Sequence, residues 1–216
     1  MRFDAVHLEQ ERSVTRTSQT DPIRVDFIPQ DAHGFRGQLG VTFAPGKCRR
    51  GMYATWDRDL RTDLDRLRDE YRTDVLVSLL EQFEMTAASI PNLGRAAKRA
   101  GLRWISFPIT DVSVPADIEA TIALVRGLLE ELATGRTVVV HCMGGLGRAG
   151  TIASCCLAAC GVEAEHAIAI VRTARPGAVQ TAAQEAFVHR FADLTTGGSH
   201  PSIRQARAVG TRTRNR

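Results

Sequence analysis

Most of the residues of this chain that could do chemistry lie in one glycine-rich segment, Val138–Thr151, which reads VVVHCMGGLGRAGT. Within it Cys142 precedes Arg148 by six positions, and three of the residues between them are glycine. Glycines let successive backbone N–H groups point at one anion, a following helix adds the positive field of its N-terminus, and an arginine adds two parallel donors. The segment therefore predicts a phosphate cradle with a cysteine beside it.

The predicted phosphate cradle also indicates that Cys142 is a nucleophile. The positive field that holds a phosphate also favours the thiolate form of this side chain, which is the nucleophilic form. We expect Cys142 to attack phosphorus while the loop that follows it binds the phosphate oxygens. The predicted phosphate-binding residues are Met143, Gly144, Gly145, Leu146, Gly147 and Arg148.

Phosphoryl transfer also needs a proton donor for the leaving oxygen. Asp111 lies in the predicted loop Pro108–Pro115, which belongs to the neighbouring strand–helix unit and can face the same crevice. Asp111 is therefore the predicted general acid, whereas Asp117 is better placed to cap the next helix. His141 is predicted to hold the loop backbone as a neutral side chain and not to act as a base.

Two other phosphate-binding templates compete for this segment. A Walker loop needs a lysine after its last glycine, but Thr151 follows Gly150. The dinucleotide fingerprint does match at Gly145, Gly147 and Gly150, but the sequence that follows offers no second strand ending in an acid, and too few residues remain for the rest of such a sheet. The pattern Cys-x5-Arg is the best match.

The elements that must position these residues alternate between strand and helix. Apolar spacing and turn residues predict strands, helices and breaks along the chain. The predicted strands are 23–28, 38–43 (its hairpin partner), 74–80, 102–107 and 137–140; the predicted helices are 57–71, 90–100, 116–133, 149–160, 163–174 and 181–195. This order predicts an α/β fold with a central, mostly parallel sheet flanked by helices on both faces.

Composition predicts one catalytic domain with two appendages. The chain has 216 residues, of which 44% are hydrophobic, enough for one core. We expect a loosely ordered N-terminal segment (1–22), a catalytic domain (23–196) and a basic, disordered tail (197–216). Without the five arginines of that tail, the formal charge of +4 falls to −1. The basicity is thus local, and the tail is either a solvated end or a contact for an acidic partner.

Several classes of protein are excluded by the same data. No apolar run reaches the ~18 residues that a membrane span requires, and residues 1–10 are polar, so neither a membrane protein nor a secretory precursor is predicted. Five cysteines without framework spacing favour the reducing cytoplasm. No zinc-type spacing occurs, and we expect no metal, no cofactor and no nucleic-acid partner. Cys155, Cys156 and Cys160 are predicted core residues, with a resolving thiol for Cys142 as the alternative.

The segment HCMGGLGRAGT resembles the signature loop of the cysteine-dependent protein tyrosine and dual-specificity phosphatases. The resemblance extends over residues 39–194, through LGVTFAPGKCRR, IPNLGRAAKRAGLRWISFPITDVSVPAD and GAVQTAAQEAFVHRF, to the family of cyclin-dependent-kinase-associated phosphatases. It implies a protein-tyrosine-phosphatase-like fold and a phosphorylated protein as substrate. It also implies that Gln180 orients the hydrolytic water, with help from Gln184.

One position departs from that family. A hydroxyl residue normally follows the arginine and stabilises the departing thiolate, but here Ala149 follows it, and Thr151 is the nearest hydroxyl along the helix. The loop interior has no lysine, which favours a phosphoprotein, phosphotyrosine first, over an inositol lipid. Three functions remain open: a protein phosphatase, a catalytically weak phosphoprotein-binding module, and a phosphatase of a non-protein phosphomonoester.

Overall fold

A computed structural model describes residues 14–51 and 54–196. Its strands are β1 (Val14–Arg16), β2 (Asp26–Phe27), β3 (Leu39–Thr42), β4 (Cys48–Arg50), β5 (Ala54–Asp57), β6 (Thr73–Ser78), β7 (Arg103–Ser106) and β8 (Thr137–His141). Its helices are α1 (Gln30–His33), α2 (Leu60–Asp69), α3 (Gln82–Ala87), α4 (Leu93–Arg99), α5 (Ile118–Ala133), α6 (Gly147–Ala159), α7 (Ala164–Ala174) and α8 (Ala182–Thr196). The tail from residue 197 and residues 1–13 lie outside this description.

The larger sheet has five strands in the order β2-β3-β8-β6-β7. Strand β8 is central and pairs in parallel with β3 and β6, and β6 pairs in parallel with β7. Only β2 is antiparallel, so the predicted mostly parallel sheet is confirmed. The predicted pairing of the first two strands is also confirmed, although β2 is short and α1 lies between it and β3.

Helices cover both faces of this sheet, as predicted. On β8, Val138 and Val140 belong to the core that contains α5 to α8, whereas Val139 belongs to the core that contains α2, α3 and α4. All three valines are fully buried, as expected for a strand that lies between two layers of helices. None of the helices in residues 14–51 and 54–196 is long and apolar enough to span a membrane.

A second sheet was not predicted. It has three strands in the order β1-β5-β4, with β1 parallel and β4 antiparallel to β5. Strands β1 and β4 have the sequences VTR and CRR and are mostly exposed, so they lack the alternation of apolar residues that identifies a strand. One strand of this sheet, β1, lies within the N-terminal segment (1–22) that was expected to be loosely ordered.

The other unpredicted element that matters is α3, with the sequence QFEMTA. Six residues are too few to display helical periodicity. The helix is defined instead by a capping box, in which the Glu81 side chain accepts from the backbone N–H of Glu84, and Glu84 accepts from that of Glu81. This short helix carries one of the residues that form the site.

Candidate active site

The site lies at the carboxyl edge of the five-stranded sheet. Cys142 follows β8 directly, and α6 begins five residues later, so that Arg148 lies in its first turn. Both side chains are nearly inaccessible, with Cys142 3% and Arg148 2% exposed. The predicted sequence of strand, loop and helix is therefore present, and it places the guanidinium and the thiol in the same buried region.

The loop conformation depends on Gly145. This residue has a φ of +70°, and a Cβ there would lie 2.4 Å from the backbone carbon and oxygen of Thr42. Only glycine tolerates both the left-handed backbone and this close approach to the end of β3. On the outer side of the loop, Arg175 donates to the carbonyl oxygens of Gly144 at 3.0 Å and Gly145 at 3.2 Å. The loop is thus held from both sides.

Arg148 is fixed by a carboxylate that the sequence analysis did not identify. Its Nη1 and Nη2 donate to the two carboxylate oxygens of Glu84 at 2.7 and 2.9 Å, and Nη1 also donates to the carbonyl of Ile109 at 2.9 Å. Burial alone would raise the pKa of Glu84, but the hydrogen bonds from Arg148 and from the Glu81 N–H outweigh it and lower that pKa. The pair therefore stays charged. The spacing of Glu81 and Glu84, which is that of a capping box, could have predicted the start of α3. Nothing in the sequence indicates that Glu84 contacts Arg148.

Asp111 meets the same guanidinium from the solvent side. Its Oδ1 lies 2.7 Å from Arg148 Nη2, and its side chain is 63% exposed. It lies in the loop between β7 and α5, as predicted. Asp117 caps α5, as also predicted, because its Oδ1 accepts from the N–H groups of Glu119 and Ala120. Asp111 is thus free of a capping role and lies beside the cradle.

Gln180 and Gln184 support the Cys142 loop through a chain of hydrogen bonds. The N–H of Gly147 donates to Gln180 Oε1 at 3.1 Å, and the N–H of Gln180 donates to Gln184 Oε1 at 2.9 Å. Gln184 also donates from Nε2 to the carbonyl of Ser113, in the Asp111 loop, at 3.1 Å. The two glutamines therefore connect the Cys142 loop with the Asp111 loop. A Cβ on Gly147 would come within 2.8 Å of the Gln180 side-chain oxygen, so a larger residue there would displace the end of this glutamine.

His141 and Thr151 lie beneath the loop. His141 is fully buried, and burial lowers its pKa to about 4, so it is neutral near pH 7. Its Nδ1 lies 3.2 Å from the carbonyl oxygen of Cys142, which is consistent with support of the loop backbone. The Thr151 hydroxyl donates to the carbonyl of Gly147 at 2.9 Å, so its proton is already engaged by the helix backbone. Ala149 is completely buried.

Lys47 is a second residue that sequence analysis missed. It follows β3, and its ammonium donates to the carbonyl of Met143, the residue after Cys142, at 3.2 Å. Burial, followed by repulsion from Arg58, lowers the pKa of Lys47 to about 7. The other cysteines on α6 are buried, and burial raises the pKa of both Cys155 and Cys156. They are therefore poor candidates for reactive thiols.

The four parallel strands contribute one part of the site each. The loop after β3 carries Lys47, the segment after β6 carries Glu84, the loop after β7 carries Asp111, and the loop after β8 carries Cys142 and Arg148. Carboxyl ends of parallel strands are where open α/β sheets bind ligands. A fixed guanidinium, a glycine loop, a helix N-terminus and a cysteine at this edge can bind a phosphate and present a nucleophile to it.

Comparison with known proteins identifies relatives with this architecture. A protein-family model described as "PTP-SAK: Swiss Army Knife protein, DSP-PTPase phosphatase domain" matches residues 76–188, just over half of the chain. The matched segment begins in β6 and ends in α8, and so includes Glu84, Asp111 and the whole Cys142 loop. Among curated proteins, cyclin-dependent kinase inhibitor 3 of Rattus norvegicus is 29% identical over 175 residues, which cover 80% of each chain.

Solved structures agree with the fold. A crystal structure of kinase associated phosphatase, in which the catalytic-site cysteine is substituted by serine, superposes with a TM-score of 0.73 at 24% identity and covers 82% of this chain and 98% of that one. The structure of Tk-PTP in the active form gives a TM-score of 0.62 at 26% identity and covers 78% of this chain and 96% of that one. The predicted protein-tyrosine-phosphatase-like fold is confirmed.

Proposed function

Because the chain belongs to the DSP-PTPase phosphatase family, we propose that it hydrolyses phosphoproteins, phosphotyrosine first and phosphoserine or phosphothreonine in addition, through a phosphocysteine intermediate on Cys142. The proposed catalytic unit is residues 23–196. The observation that supports this most strongly is the contact between Asp111 and Arg148 at 2.7 Å. Asp111 was predicted as the general acid and Arg148 as a phosphate-binding residue. They come from separate loops, and the two side chains are in direct contact.

In the proposed first step, the phosphate binds the loop amides and the Arg148 guanidinium, which Glu84 holds in position. The thiolate of Cys142 attacks phosphorus, and the bond to the leaving oxygen breaks as Asp111 protonates that oxygen. The contact between Asp111 and Arg148 in the unliganded site would then be exchanged for one with substrate.

In the proposed second step, water attacks the phosphocysteine, the P–S bond breaks and Cys142 leaves as a thiolate. The Asp111 carboxylate left by the first step takes the proton of the water, which restores its acid form. Gln180 lies next to the loop, with its Oε1 on the N–H of Gly147, and it is the proposed orienting group for that water. Gln184 would position Gln180 through its bond to the Gln180 N–H. His141 and Thr151 would support the loop and not take part in bond making.

The names of the relatives support a phosphoprotein substrate. Two of the proteins that the chain resembles over about 80% of its length are named cyclin-dependent kinase inhibitor 3 and kinase associated phosphatase, and both names refer to a kinase. Kinase associated phosphatase has a catalytic-site cysteine, which supports cysteine-based chemistry here. The physiological substrate proposed for this chain is a phosphorylated protein.

The test compares hydrolysis of phosphotyrosyl, phosphothreonyl and inositol phosphate substrates by the wild type and by Cys142→Ser. We expect the phosphotyrosyl peptide to be the best substrate, and the variant to retain vanadate binding but less than about 1% of the turnover, because no base activates a serine hydroxyl there. Vanadate binding without turnover by the wild type would identify a phosphoprotein-binding module instead. Preference for the inositol phosphate would make the substrate a non-protein phosphomonoester.

A further inference from the structure

Lys47 is a buried cation that the proposed reaction does not use. The residue is only 5% exposed, and no carboxylate lies within 4 Å of its ammonium among residues 14–51 and 54–196. The ammonium lies 3.9 Å from the ring centre of Trp56 and 4.5 Å from that of Phe43. Burying a charge is costly unless a partner offsets it, and aromatic faces offset only part of that cost. The position of Lys47 therefore indicates that an anion belongs beside it.

The contact between Lys47 and Met143 fixes one peptide plane of the Cys142 loop. The Met143 carbonyl oxygen accepts from the Lys47 ammonium at 3.2 Å and from the N–H of Ala44 at 3.3 Å. No cis peptide bond occurs in the described part of the chain, and in a trans peptide the N–H points opposite to the carbonyl. The N–H of Gly144 therefore points away from Lys47, towards the inner side of the loop.

The next two peptide planes have the same arrangement. Arg175 holds the carbonyl oxygens of Gly144 and Gly145 from outside, at 3.0 and 3.2 Å, so the N–H groups of Gly145 and Leu146 also point inwards. Within residues 14–51 and 54–196, the N–H groups of these three loop residues donate to no protein acceptor. Three successive N–H groups on one side of a loop form an anion-binding nest. Lys47 and Arg175 thus hold this nest from behind.

The charges around Lys47 favour one kind of counter-ion. Burial is the largest cause of its lowered pKa of about 7, and a thiolate at Cys142 acts in the opposite direction. His141 gives no charge near pH 7, since its own pKa is about 4. The cations that repel Lys47 come from three different elements: Arg49, Arg58 and Arg175. Asp63 already pairs with Arg58. An anion in the cradle, thiolate or phosphate, is therefore the counter-charge of Lys47.

We propose that Lys47 is a positioning residue of the phosphate cradle: it holds the Met143 carbonyl outward so that the Gly144 N–H faces the phosphate, and it carries its charge when an anion occupies the site. This assignment rests on the proposed function and deepens it. Protonation of Lys47 and binding of the anion then favour each other. The anion should bind most tightly while Lys47 is charged, and more weakly as the pH rises above about 7.

The experiment measures binding of tungstate to Cys142→Ser by isothermal titration calorimetry at about pH 6.5 and about pH 8.5, on either side of the Lys47 pKa. Tungstate is a phosphate-like dianion whose charge is constant over this range, and the serine removes the titration of the thiol. We expect the dissociation constant to be about three- to tenfold higher at the upper pH, the effect of losing one charged hydrogen-bond donor.

Variants assign this pH dependence to Lys47. In Cys142→Ser/Lys47→Met, binding should already be about three- to tenfold weaker at the lower pH and should change less than about twofold with pH. Lys98→Met in the same background is the matched control, because Lys98 is the only other lysine and is exposed on α4. It should keep both the affinity and the pH dependence.

Lys47→Gln separates the hydrogen bond from the charge. The amide retains a donor for the Met143 carbonyl but has no charge, so the pH dependence should disappear while tungstate binds at least about twofold more tightly than in Lys47→Met. Equal affinities of the two variants would show that the bond to Met143 does not orient the cradle, which would overturn the positioning role.

The outcomes separate this proposal from the proposed function. Failure of tungstate to bind Cys142→Ser at either pH would overturn the phosphate site itself and this role with it. Tungstate binding that is the same in the Lys47→Met and Lys98→Met variants at both pH values would overturn the role of Lys47 but leave the phosphatase function intact. The pH dependence of Cys142→Ser needs no substitution at position 47, so the test does not depend on the folding of the lysine variants.

Discussion

Arg148 is a charged side chain that is almost completely buried, and the groups around it explain how its charge is stabilised. Removing a guanidinium from water is costly unless its hydrogen bonds are satisfied. Here Glu84 accepts from both terminal nitrogens, the carbonyl of Ile109 accepts from Nη1, and Asp111 contacts Nη2. Of these partners only Asp111 is exposed, and it is therefore the one that a substrate phosphate can replace.

Asp111→Asn tests whether this exposed carboxyl group is the general acid. Loss of a general acid costs about 10²–10⁴-fold in rate, and the loss should be much smaller for p-nitrophenyl phosphate, whose leaving group barely needs a proton. The measurement is kcat/KM over a series of aryl phosphates with increasing leaving-group pKa. Asp117→Asn, in the same loop, is the control. It keeps the capping oxygen of α5 and should leave the rates unchanged. Equal losses on all substrates in Asp111→Asn would mean that Asp111 is structural.

Ala149→Ser tests the position that departs from the family pattern. The hydroxyl of Thr151 already donates to the Gly147 carbonyl, so it does not supply the missing bond to the departing Cys142 thiolate. A hydrogen bond to a charged group is worth roughly 1.5–3 kcal/mol, which is about ten- to a hundredfold in rate. If breakdown of the phosphoenzyme limits turnover, the serine should raise kcat about tenfold.

Rapid-mixing kinetics check this expectation. The parent enzyme should release a burst of p-nitrophenolate, and the burst should shrink in Ala149→Ser because the intermediate no longer accumulates. Ala153→Ser, one turn further along α6 and equally buried, is the control and should leave the burst unchanged. An unchanged kcat together with no burst in the parent enzyme would contradict the expectation.

At the scale of elements, the short helix α3 supplies the carboxylate that holds Arg148 in position. It has six residues, and its capping box fixes the backbone of Glu84 at the third helical position. That carboxylate then orients Arg148 from a different strand–helix unit. Without the second carboxylate oxygen the guanidinium has no bidentate partner, and its position depends on Asp111 and one carbonyl. Glu84 is therefore a positioning residue.

Glu84→Gln should lower kcat/KM by about 10²-fold, since a small misplacement of a binding group has effects of this size. It should also weaken inhibition by inorganic phosphate and vanadate, which a merely structural change elsewhere would not do. Glu81→Gln, on the same capping box but without contact to Arg148, is the matched control. Thermal unfolding of both variants shows whether a lower kcat/KM results from a loss of stability. Equal inhibitor affinity in the two variants would show that Glu84 does not position Arg148.

At the scale of the whole molecule, one buried ion pair connects the small sheet and the N-terminal residues to the main body. Arg58 donates from Nε and Nη2 to the carboxylate of Asp63, both at 2.8 Å, and from Nη1 to the carbonyls of Thr17 and Asp21. Asp63, on α2, also accepts from the N–H of Gly46 at 2.8 Å. Residues 17 and 21 contact the main body through this pair.

Asp63→Asn should reduce the free energy of unfolding by about 3–5 kcal/mol, because it leaves the Arg58 charge buried without its partner. Asp65→Asn on the same helix, where Asp65 is partly exposed and pairs with surface arginines, should cost at most about 1 kcal/mol. Urea unfolding of the two variants measures the difference. Equal losses would mean that the buried pair does not stabilise the folded state more than a surface pair does.

The sequence alone determined the features that are local in the chain. Cys142, the glycines and Arg148 lie within seven consecutive residues, and the apolar runs of β6 and β8 have the length of buried strands. Contiguous motifs and periodic patterns can be recognised without knowing which residues they contact in the fold. For this reason the parallel sheet, most of the helices and the strand, loop and helix around Cys142 could be predicted. The position of Asp111 followed from the same logic, because loops after neighbouring parallel strands meet at one edge.

Only the tertiary structure decided which distant side chains meet at that edge. The loop interior has no lysine, yet the pairing of β3 with β8 places Lys47 on the Met143 carbonyl, and the pairing of β6 with β8 places Glu84 on Arg148. Such contacts depend on strand order and on short polar elements such as α3. These elements bury few apolar side chains and therefore have no periodic signal in the sequence. The Cys142 loop could thus be recognised in the sequence, whereas the charges around it depend on the fold.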